Sequence, residues 1–429
     1  MIRSVSGVSS LKGTLKLPPD KSISQRAAIF SLLHEGESRI GNYSKAQDPQ
    51  STLRCVQQLG AKVKEDSGSL IIDGKGRAGI LEPVQDLNCG NSGTAMRLLS
   101  GVLVGAGISA KLIGDASLCG RTMTRIIEPL EAMGAHILAR NLAFAPLFIN
   151  RIEPLKPMDF ELPVPSAQLK SCILLAGLFG EEITRVIETL PSRDHTERLL
   201  GLDQKQENGR KVISASLADE IPEQSYTIPG DFSAAAFWLV AGAIQIDAEI
   251  LIENVGLNPT RNALLGILDD MGADITIENE QMEGAEPVGD ILVKGSDLKS
   301  IELDPKIIPN CIDELPILSV AMLFAEGTSV ISGAGELRHK ETDRIMAMSK
   351  MLEAVGANFE EKEDGLIIHG DPEFTFKSAE FESFHDHRIA MAAAVLSLKG
   401  IKDSRIKDAE SAAVSYPTFW EDLKQLTGG

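Results

Sequence analysis

GAGELRHKETDRIMAMSKMLEAVGANF, residues Gly333 to Phe359, sets four ionisable side chains, Lys340, Glu341, Asp343 and Arg344, just ahead of an apolar pattern at Ile345, Met348, Leu352 and Val355. Steps of three and four residues predict a helix running to about Val355, with Gly356 ending it. That places Lys340 and Arg344 in the first turn, where unpaired N–H groups and the positive end of the helix dipole disfavour cations. A bound anion would resolve the conflict; the bland alternative is a solvated helix start with Glu341 and Arg344 paired at i, i+3. The end of the stretch bears on the fold: a helix-period run, a glycine, usually a small residue, then a strand, as a C-capping glycine produces.

The phrase occurs six times, as LRCVQQLGAKV ending its helix at Gly60, IIEPLEAMGAHI at Gly134, TERLLGLD at Gly201, LLGILDDMGADI at Gly272, MSKMLEAVGANF at Gly356 and FWEDLKQLTG at Gly428. Spacings of 67 to 84 residues mark a duplicated unit larger than a solenoid repeat. A second, more apolar helix precedes each, beginning near Ser22, Ser92, Ser166, Ser233, Asp313 and Asp386, and runs such as SLIIDG and GLIIHG read as strands. Each unit is therefore expected to be β-α-β-α-β-β, in an α/β protein of six units. The sixth copy ends after its second helix, so residues 1–17, strand-like and otherwise unassigned, are expected to complete it. Three units per domain give one domain over 18–229 and another over 1–17 plus 230–429, with two crossings near Pro18 and Pro229.

Composition agrees with two cored domains: 429 residues, 43% hydrophobic and 24% charged. A net charge of −19 repels nucleic acid and anionic membrane surfaces, so any anion site must be local. Cys55, Cys89, Cys119, Cys172 and Cys311 form no CxxC pair and lie near no histidine cluster, which argues against a disulfide framework or a zinc site and fits a reducing cytoplasm. The N-terminal MIRSVSGVSSLKG has no signal-peptide core, and no apolar run is long enough to span a membrane. No Walker loop, dinucleotide GxGxxG or HExxH occurs, leaving nucleotide hydrolysis, hydride transfer and zinc hydrolysis without support.

Basic residues gather where helices begin. DKSISQRAAIFSLL, NSGTAMRLLSGVL and HDHRIAMAAAVLSL place Arg26, Arg97 and Arg388 in a first turn behind a small polar or acidic cap. GDASLCGRTMTRIIEPL adds Arg121 and Arg125, SRDHTERLL adds Arg193, and PSAQLKSCILLAGL presents Ser166 and Gln168. Any one could be an ordinary surface residue. Repeated at equivalent ends of units packed about a threefold-like axis, they would converge on a small polyanion carrying phosphate and carboxylate groups. Of the acids, Asp313 in NCIDELPIL is either an N-cap or, with Glu341, half of an acid–base pair that nearby cations keep ionised. Asp48 in AQDPQST reads as a helix cap.

At these residues the chain resembles the enolpyruvyl transferases, and within them the EPSP synthase family. LPPDKSISQR, CGNSGTAMRLL, GDASLCGRTM, PSAQLKS, SRDHTERLL, PGDFSAAAF, IDELP, RHKETDRI and HDHRIAM occur in the family's order over nearly the whole length. The resemblance implies a two-domain inside-out α/β barrel of six repeated β-α-β-α-β-β units, three per domain. It further implies transfer of the enolpyruvyl group of phosphoenolpyruvate to the 5-hydroxyl of shikimate-3-phosphate, with no metal or organic cofactor and no partner beyond these two substrates, in a cytoplasmic monomer. By the same resemblance Lys21, Ser22, Arg26, Ser166, Ala167, Gln168, Arg193, Asp313 and Lys340 contact shikimate-3-phosphate. Lys21, Gly93, Arg121, Gln168, Arg344 and Arg388 hold phosphoenolpyruvate, while Asp313, Glu341 and Lys21 move protons.

The match has departures. Pro19 and Asp20 stand where the family commonly has glycine and serine, Thr122 where it has proline, and Val414 where many members carry a lysine. PGDFSAAAF lacks an arginine at its helix start and is expected to be structural. Two rivals remain: the sister enzyme acting on UDP-N-acetylglucosamine, which usually has a PGGC-type cysteine loop where this chain has Cys119 just before Arg121, and a non-catalytic anion-binding relative, which would not need the acid pair.

Overall fold

The computed structural model describes residues 1–150 and 154–428. All six glycines of the recurring phrase have positive φ, from 64° at Gly201 to 110° at Gly60, a conformation that an L side chain resists and that, at the first five, turns the helix into the following strand. The periodicity thus rests on backbone geometry that only glycine adopts cheaply.

Two compact bodies result. The first is Pro19–Ile228 together with Met282–Glu286; the second is Met1–Pro18, Pro229–Gln281 and the chain from Pro287 onward. In the first, three four-stranded sheets follow one rule, a short edge strand parallel to its neighbour and then two antiparallel pairings. Their orders are Tyr226–Thr227, Glu35–Gly41, Ser69–Lys75, Lys62–Asp66; then Leu87–Asn88, Ala110–Ile113, Phe144–Asn150, His136–Arg140; then Asp159–Glu161, Thr184–Glu188, Arg210–Ala215, Gln204–Glu207.

In the second body Ser10–Lys16, Asp247–Gly256, Glu286–Lys294 and Asp274–Glu283 repeat that rule, the hairpin's own tip apart. Gly327–Ile331, Gly365–Gly370 and Asn358–Lys362 form a three-stranded sheet whose fourth member is reduced to two parallel bridges, Lys299 to Glu326 and Glu302 to Val330. Glu380–Phe381, Ser404–Lys407 and Ile2–Val5 make the sixth sheet.

Helices fill the inside of each body. Phe232–Ile244 is buried on every face, as are Leu315–Leu323 and His387–Ser397, and these three pack on one another. An all-round apolar helix such as FSAAAFWLVAGAI is stable only when so enclosed. In the first body Gly93–Ala106 packs on both Lys21–Leu33 and Ala167–Gly177. A Cβ at Gly101 would lie 2.1 Å from the Cys172 carbonyl oxygen, so the close approach of those two helices requires glycine. Each body therefore has its own apolar cluster of central helices faced by sheets, the inside-out α/β arrangement.

The structure corrects several expectations. Of residues 1–17, only Ile2–Val5 joins the sixth unit; Ser10–Lys16 pairs over seven residues with Asp247–Glu253, because Leu11 and Leu15 face the core and Lys16 meets Glu253 across the pair. The body boundaries add crossings at 281/282 and 286/287 to the two expected, since the hairpin tip sets Gly284 against the Tyr226 ring and Glu286 Oε1 2.7 Å from His195 Nδ1. Asp343, not Lys340, opens the helix Arg344–Val355: its carboxylate accepts from Met346 N, and Lys340 follows the separate 3₁₀ turn Gly335–His339. Asp313 is not an N-cap either, for the helix Leu315–Leu323 starts at Glu314. Asp48 lies inside Gln47–Gln58 rather than capping it.

Candidate active site

In the first body Lys21, Ser22, Gly93, Ala167 and Gln168 stand in first helical turns and Ser166 is a cap, whereas Arg26 and Arg97, expected in a first turn, lie one turn further in because Asp20 and Ser92 are the caps of their helices. Asp20 caps Lys21–Leu33 by accepting from Ile23 N at 2.8 Å, which fixes Lys21 and Ser22 as the first two helical residues. Lys21 Nζ lies 3.3 Å from Asp48, an acid whose Oδ1 is buried without a hydrogen bond. One turn on, Arg26 is buried; its Nε donates to Thr196 Oγ1 at 2.8 Å, Nη2 to Ser171 Oγ at 3.2 Å and Nη1 to the Ser22 carbonyl at 3.2 Å. Burial pushes its guanidinium down to about 10, with Arg193 adding to the effect while Glu197 and Asp20 oppose it.

Ser92 caps Gly93–Ala106 and donates to Gln25, so Gly93 is the first helical residue. A Cβ on Gly93 would stand 3.0 Å from Arg97 Nη1 and 3.7 Å from Arg121 Nη1. Ser166 caps Ala167–Gly177; Gln168 in its first turn accepts from Arg97 Nη1 and donates to Thr94 Oγ1 at 2.9 Å. Arg121, at the end of the turn Leu118–Gly120, donates to Asn91 Oδ1 at 2.7 Å, and Asp115 holds that asparagine. Gly93, Arg97, Arg121 and Gln168 are thereby gathered, whereas Arg125 is exposed. Arg193 is half-buried just ahead of the helix His195–Leu200.

In the second body the residues meet on one guanidinium. Arg344, with a side chain 1% exposed, places Nε 2.8 Å from Asp386 Oδ2, Nη2 2.8 Å from Glu341 Oε2 and Nη1 3.2 Å from Asp313 Oδ1. Burial alone would lower its proton affinity, but the charges of Asp386, Glu341 and Asp313 outweigh burial and hold it above the ordinary arginine value. Burial likewise works against the ionised Asp386, yet Arg344 and His387 keep its carboxyl below the usual range. Arg388 Nη1 donates to the Asp313 carbonyl at 2.9 Å, and its Nη2 lies 3.6 Å from the Asp313 carboxylate. Glu314 stands 3.7 Å from Arg388 and accepts from Ser233, so the PGDFSAAAF helix start reaches this cluster through its hydroxyl. Lys340 is half-buried, three residues before the helix cap.

Chemically, one buried cation presents two carboxylates, Asp313 and Glu341, as neighbours. The cluster differs from the expectation of free cations awaiting an anion: an incoming carboxylate or phosphate must displace part of Arg344's acidic shell. Sequence reading missed Asp386, Glu314, Asp48, Thr196 and Ser171. HDHRIAM carried the signal for Asp386, an acid at a cap position beside an arginine; Thr196 and Ser171 gave none, because a hydroxyl in a helix is unremarkable in a sequence.

Among known proteins, the enolpyruvyl transferase NikO from Streptomyces tendae shares the fold with a TM-score of 0.75 at 16% identity, over 99% of this chain and 97% of that one. EPSP synthase from Acinetobacter baumannii superimposes with a TM-score of 0.88 at 39% identity, covering 99% of this chain and 98% of that one. The 3-phosphoshikimate 1-carboxyvinyltransferase of Salinibacter ruber is 49% identical over the full length of both chains, and that of Hydrogenovibrio crunogenus 42% identical over 96% of this chain and 94% of the other. The family model for EPSP synthase (3-phosphoshikimate 1-carboxyvinyltransferase) matches residues 5–423. This chain belongs to the EPSP synthase family and is a transferase. No helix among the described residues is long and apolar enough to cross a membrane.

Proposed function

We infer that the chain transfers the enolpyruvyl group of phosphoenolpyruvate to the 5-hydroxyl of shikimate-3-phosphate, releasing inorganic phosphate, as part of aromatic amino acid biosynthesis. The observation that carries the acid–base reading is the meeting of Asp313 and Glu341 on Arg344.

Asp313 takes the proton of the 5-hydroxyl as its oxygen attacks C2 of phosphoenolpyruvate, and Glu341, relaying from the Lys21 ammonium, delivers a proton to C3. The product of addition is a tetrahedral phosphate adduct. Glu341, with Lys21, then takes a proton back from the new methyl group, re-forming the C2–C3 double bond as the C2–O bond to phosphate breaks, and Asp313 passes the hydroxyl proton to the departing phosphate, leaving the enolpyruvyl ether and inorganic phosphate. Arg121, Arg344 and Arg388 bind the carboxylate and phosphate of phosphoenolpyruvate, for which a forked guanidinium is better shaped than an ammonium, with Gly93 and Gln168 beside them. Lys21, Ser22, Arg26, Ser166, Ala167, Gln168, Arg193 and Lys340 bind shikimate-3-phosphate, the hydroxyl-backed Arg26 and Arg193 serving its phosphate. The protein works as a monomer in the cytoplasm, a reading that rests on the family resemblance.

The test is phosphate release by the purified protein, expected only when both substrates are present. Release with UDP-N-acetylglucosamine in place of shikimate-3-phosphate would overturn the reading.

A further inference from the structure

Lys170 lies one turn into the helix Ala167–Gly177, and its side chain is 0% exposed. Its ammonium is 2.9 Å from Glu188 Oε2 and 2.7 Å from Glu197 Oε1, both themselves sealed from solvent. Replacing such a buried charge cluster by apolar side chains of similar volume is often neutral or stabilising, so stability alone does not account for it.

The hydrogen bonds indicate what else it does. Glu188 ends the strand Thr184–Glu188, and the chain leaves it without regular structure until His195. Across that excursion Glu188 Oε1 accepts from both the backbone N and the hydroxyl of Ser192, while Lys170 Nζ donates to the Ser192 carbonyl at 3.4 Å. Ser192 is thus gripped at N, Oγ and O by two side chains fixed on a helix and a strand, and the next residue is Arg193. On the other side, Lys170–Glu197 and the neighbouring Ser171–Thr196 hydroxyl pair, 2.6 Å apart, fasten the helix that follows.

We propose that Glu188, held by Lys170 and acting through Ser192, is a positioning residue that aims Arg193 at the phosphate of shikimate-3-phosphate, and so sets affinity for that substrate rather than turnover. This rests on the assignment of Arg193 as a phosphate contact. A guanidinium must present its N–H fork squarely to phosphate oxygens, and the backbone of residue 192 determines where that fork points.

Steady-state kinetics on Glu188→Gln, Arg193→Ala and the double variant test it. Glu188→Gln keeps the side-chain shape and leaves Lys170 paired with Glu197. It should raise KM for shikimate-3-phosphate about tenfold while KM for phosphoenolpyruvate and kcat stay within about twofold. Because the effect runs through Arg193, Glu188→Gln should cost nothing further in the Arg193→Ala background. Independent, multiplicative effects, or equal changes in both KM values, would overturn the positioning role. An unchanged KM for shikimate-3-phosphate in Arg193→Ala would instead overturn the assignment of Arg193 and the proposal with it. Should Glu188→Gln fail to fold, Ser192→Ala, which removes only the hydroxyl grip, is expected to raise the same KM about threefold, and no rise there would also overturn the proposal.

Discussion

Asp386 uses its two oxygens for two helices: Oδ1 accepts from Arg388 N at 2.8 Å and caps His387–Ser397, while Oδ2 lies 2.8 Å from Arg344 Nε at the start of Arg344–Val355. One carboxylate therefore fixes the relative position of the two helix starts that carry Arg344 and Arg388. It also leaves both terminal nitrogens of Arg344 for Glu341 and Asp313.

Asp386→Asn should lower stability at pH 7 by about 3 kcal/mol, because the amide removes the charge that Arg344 needs while buried. Arg344 and His387 outweigh burial and hold the Asp386 carboxyl below its usual range. Its contribution is therefore fully present above the unfolded value, about 3.9, and disappears as pH falls through the lower folded value. Denaturant unfolding of both proteins checks this, followed by fluorescence of Trp238 and Trp420, which both lie in the second body. The stability gap between them should narrow below about pH 4; a gap constant from pH 7 to pH 3 would show that ionisation of Asp386 is not its source.

Asp313→Asn and Glu341→Gln are expected to lower kcat at least about a hundredfold each, the usual range for a general acid or base. Each leaves Arg344 two carboxylates, so folding should survive, and thermal unfolding should be recorded beside the kinetics. Changes confined to KM in both variants would mean that the two acids only shape the binding surface.

How far the chain could be read follows from what kind of contact carries each feature. The six units were legible because Gly60 through Gly428 mark helix ends by a local backbone requirement. The partner of Ser10–Lys16 was not, because pairing with Asp247–Glu253 is set by a match across more than two hundred residues, and an unpaired amphipathic strand next to an incomplete unit is easily given to the wrong sheet. At the site, Arg344 and Arg388 stood out because cations at helix starts conflict with the dipole, while Arg26 was read the same way although its helix begins a turn earlier, at Lys21. Asp386, beside Arg344, and Asp48, beside Lys21, occupy positions where acids are locally favourable; the cap acid next to an arginine in HDHRIAM gave a signal for the first, but a first-turn acid such as Asp48 looks the same in sequence whether or not it is an ion-pair partner. Lys170 sat unnoticed in PSAQLKSCILL because a lone lysine in a helix is usually solvated; only tertiary structure supplies Glu188 and Glu197.

Arg26→Lys should raise KM for shikimate-3-phosphate about tenfold or more with kcat little changed. Nε, Nη1 and Nη2 each have a separate acceptor, in Thr196, Ser22 and Ser171, a geometry that a single ammonium cannot reproduce. Equal losses in kcat and kcat/KM would instead place Arg26 in the stabilisation of the transition state.

Gly93 bears on inhibition by glyphosate, which the family resemblance implies competes with phosphoenolpyruvate. A methyl group at this position would meet Arg97 Nη1 at 3.0 Å and Arg121 Nη1 at 3.7 Å, so it would stand against two guanidinium groups rather than in the helix core. The nearer contact is the far end of a flexible side chain, which can yield, and Gly93 begins its helix behind the Ser92 cap without a positive φ. Folding should therefore tolerate Gly93→Ala. Arg97 is not free to move without consequence, because it donates to Gln168 and to the Thr122 carbonyl, so the displacement reaches Gln168, one of the residues assigned to phosphoenolpyruvate. The wild-type protein is expected to be inhibited competitively, less strongly than relatives that carry a lysine where Val414 stands, since one charge-assisted contact is worth about 1–3 kcal/mol. Gly93→Ala should raise Ki for glyphosate at least about tenfold while raising KM for phosphoenolpyruvate less, because the longer ligand needs the space that the methyl group takes. The measurement is Ki against KM for both proteins; if their ratio is the same with alanine as with glycine, Gly93 does not line the inhibitor's pocket.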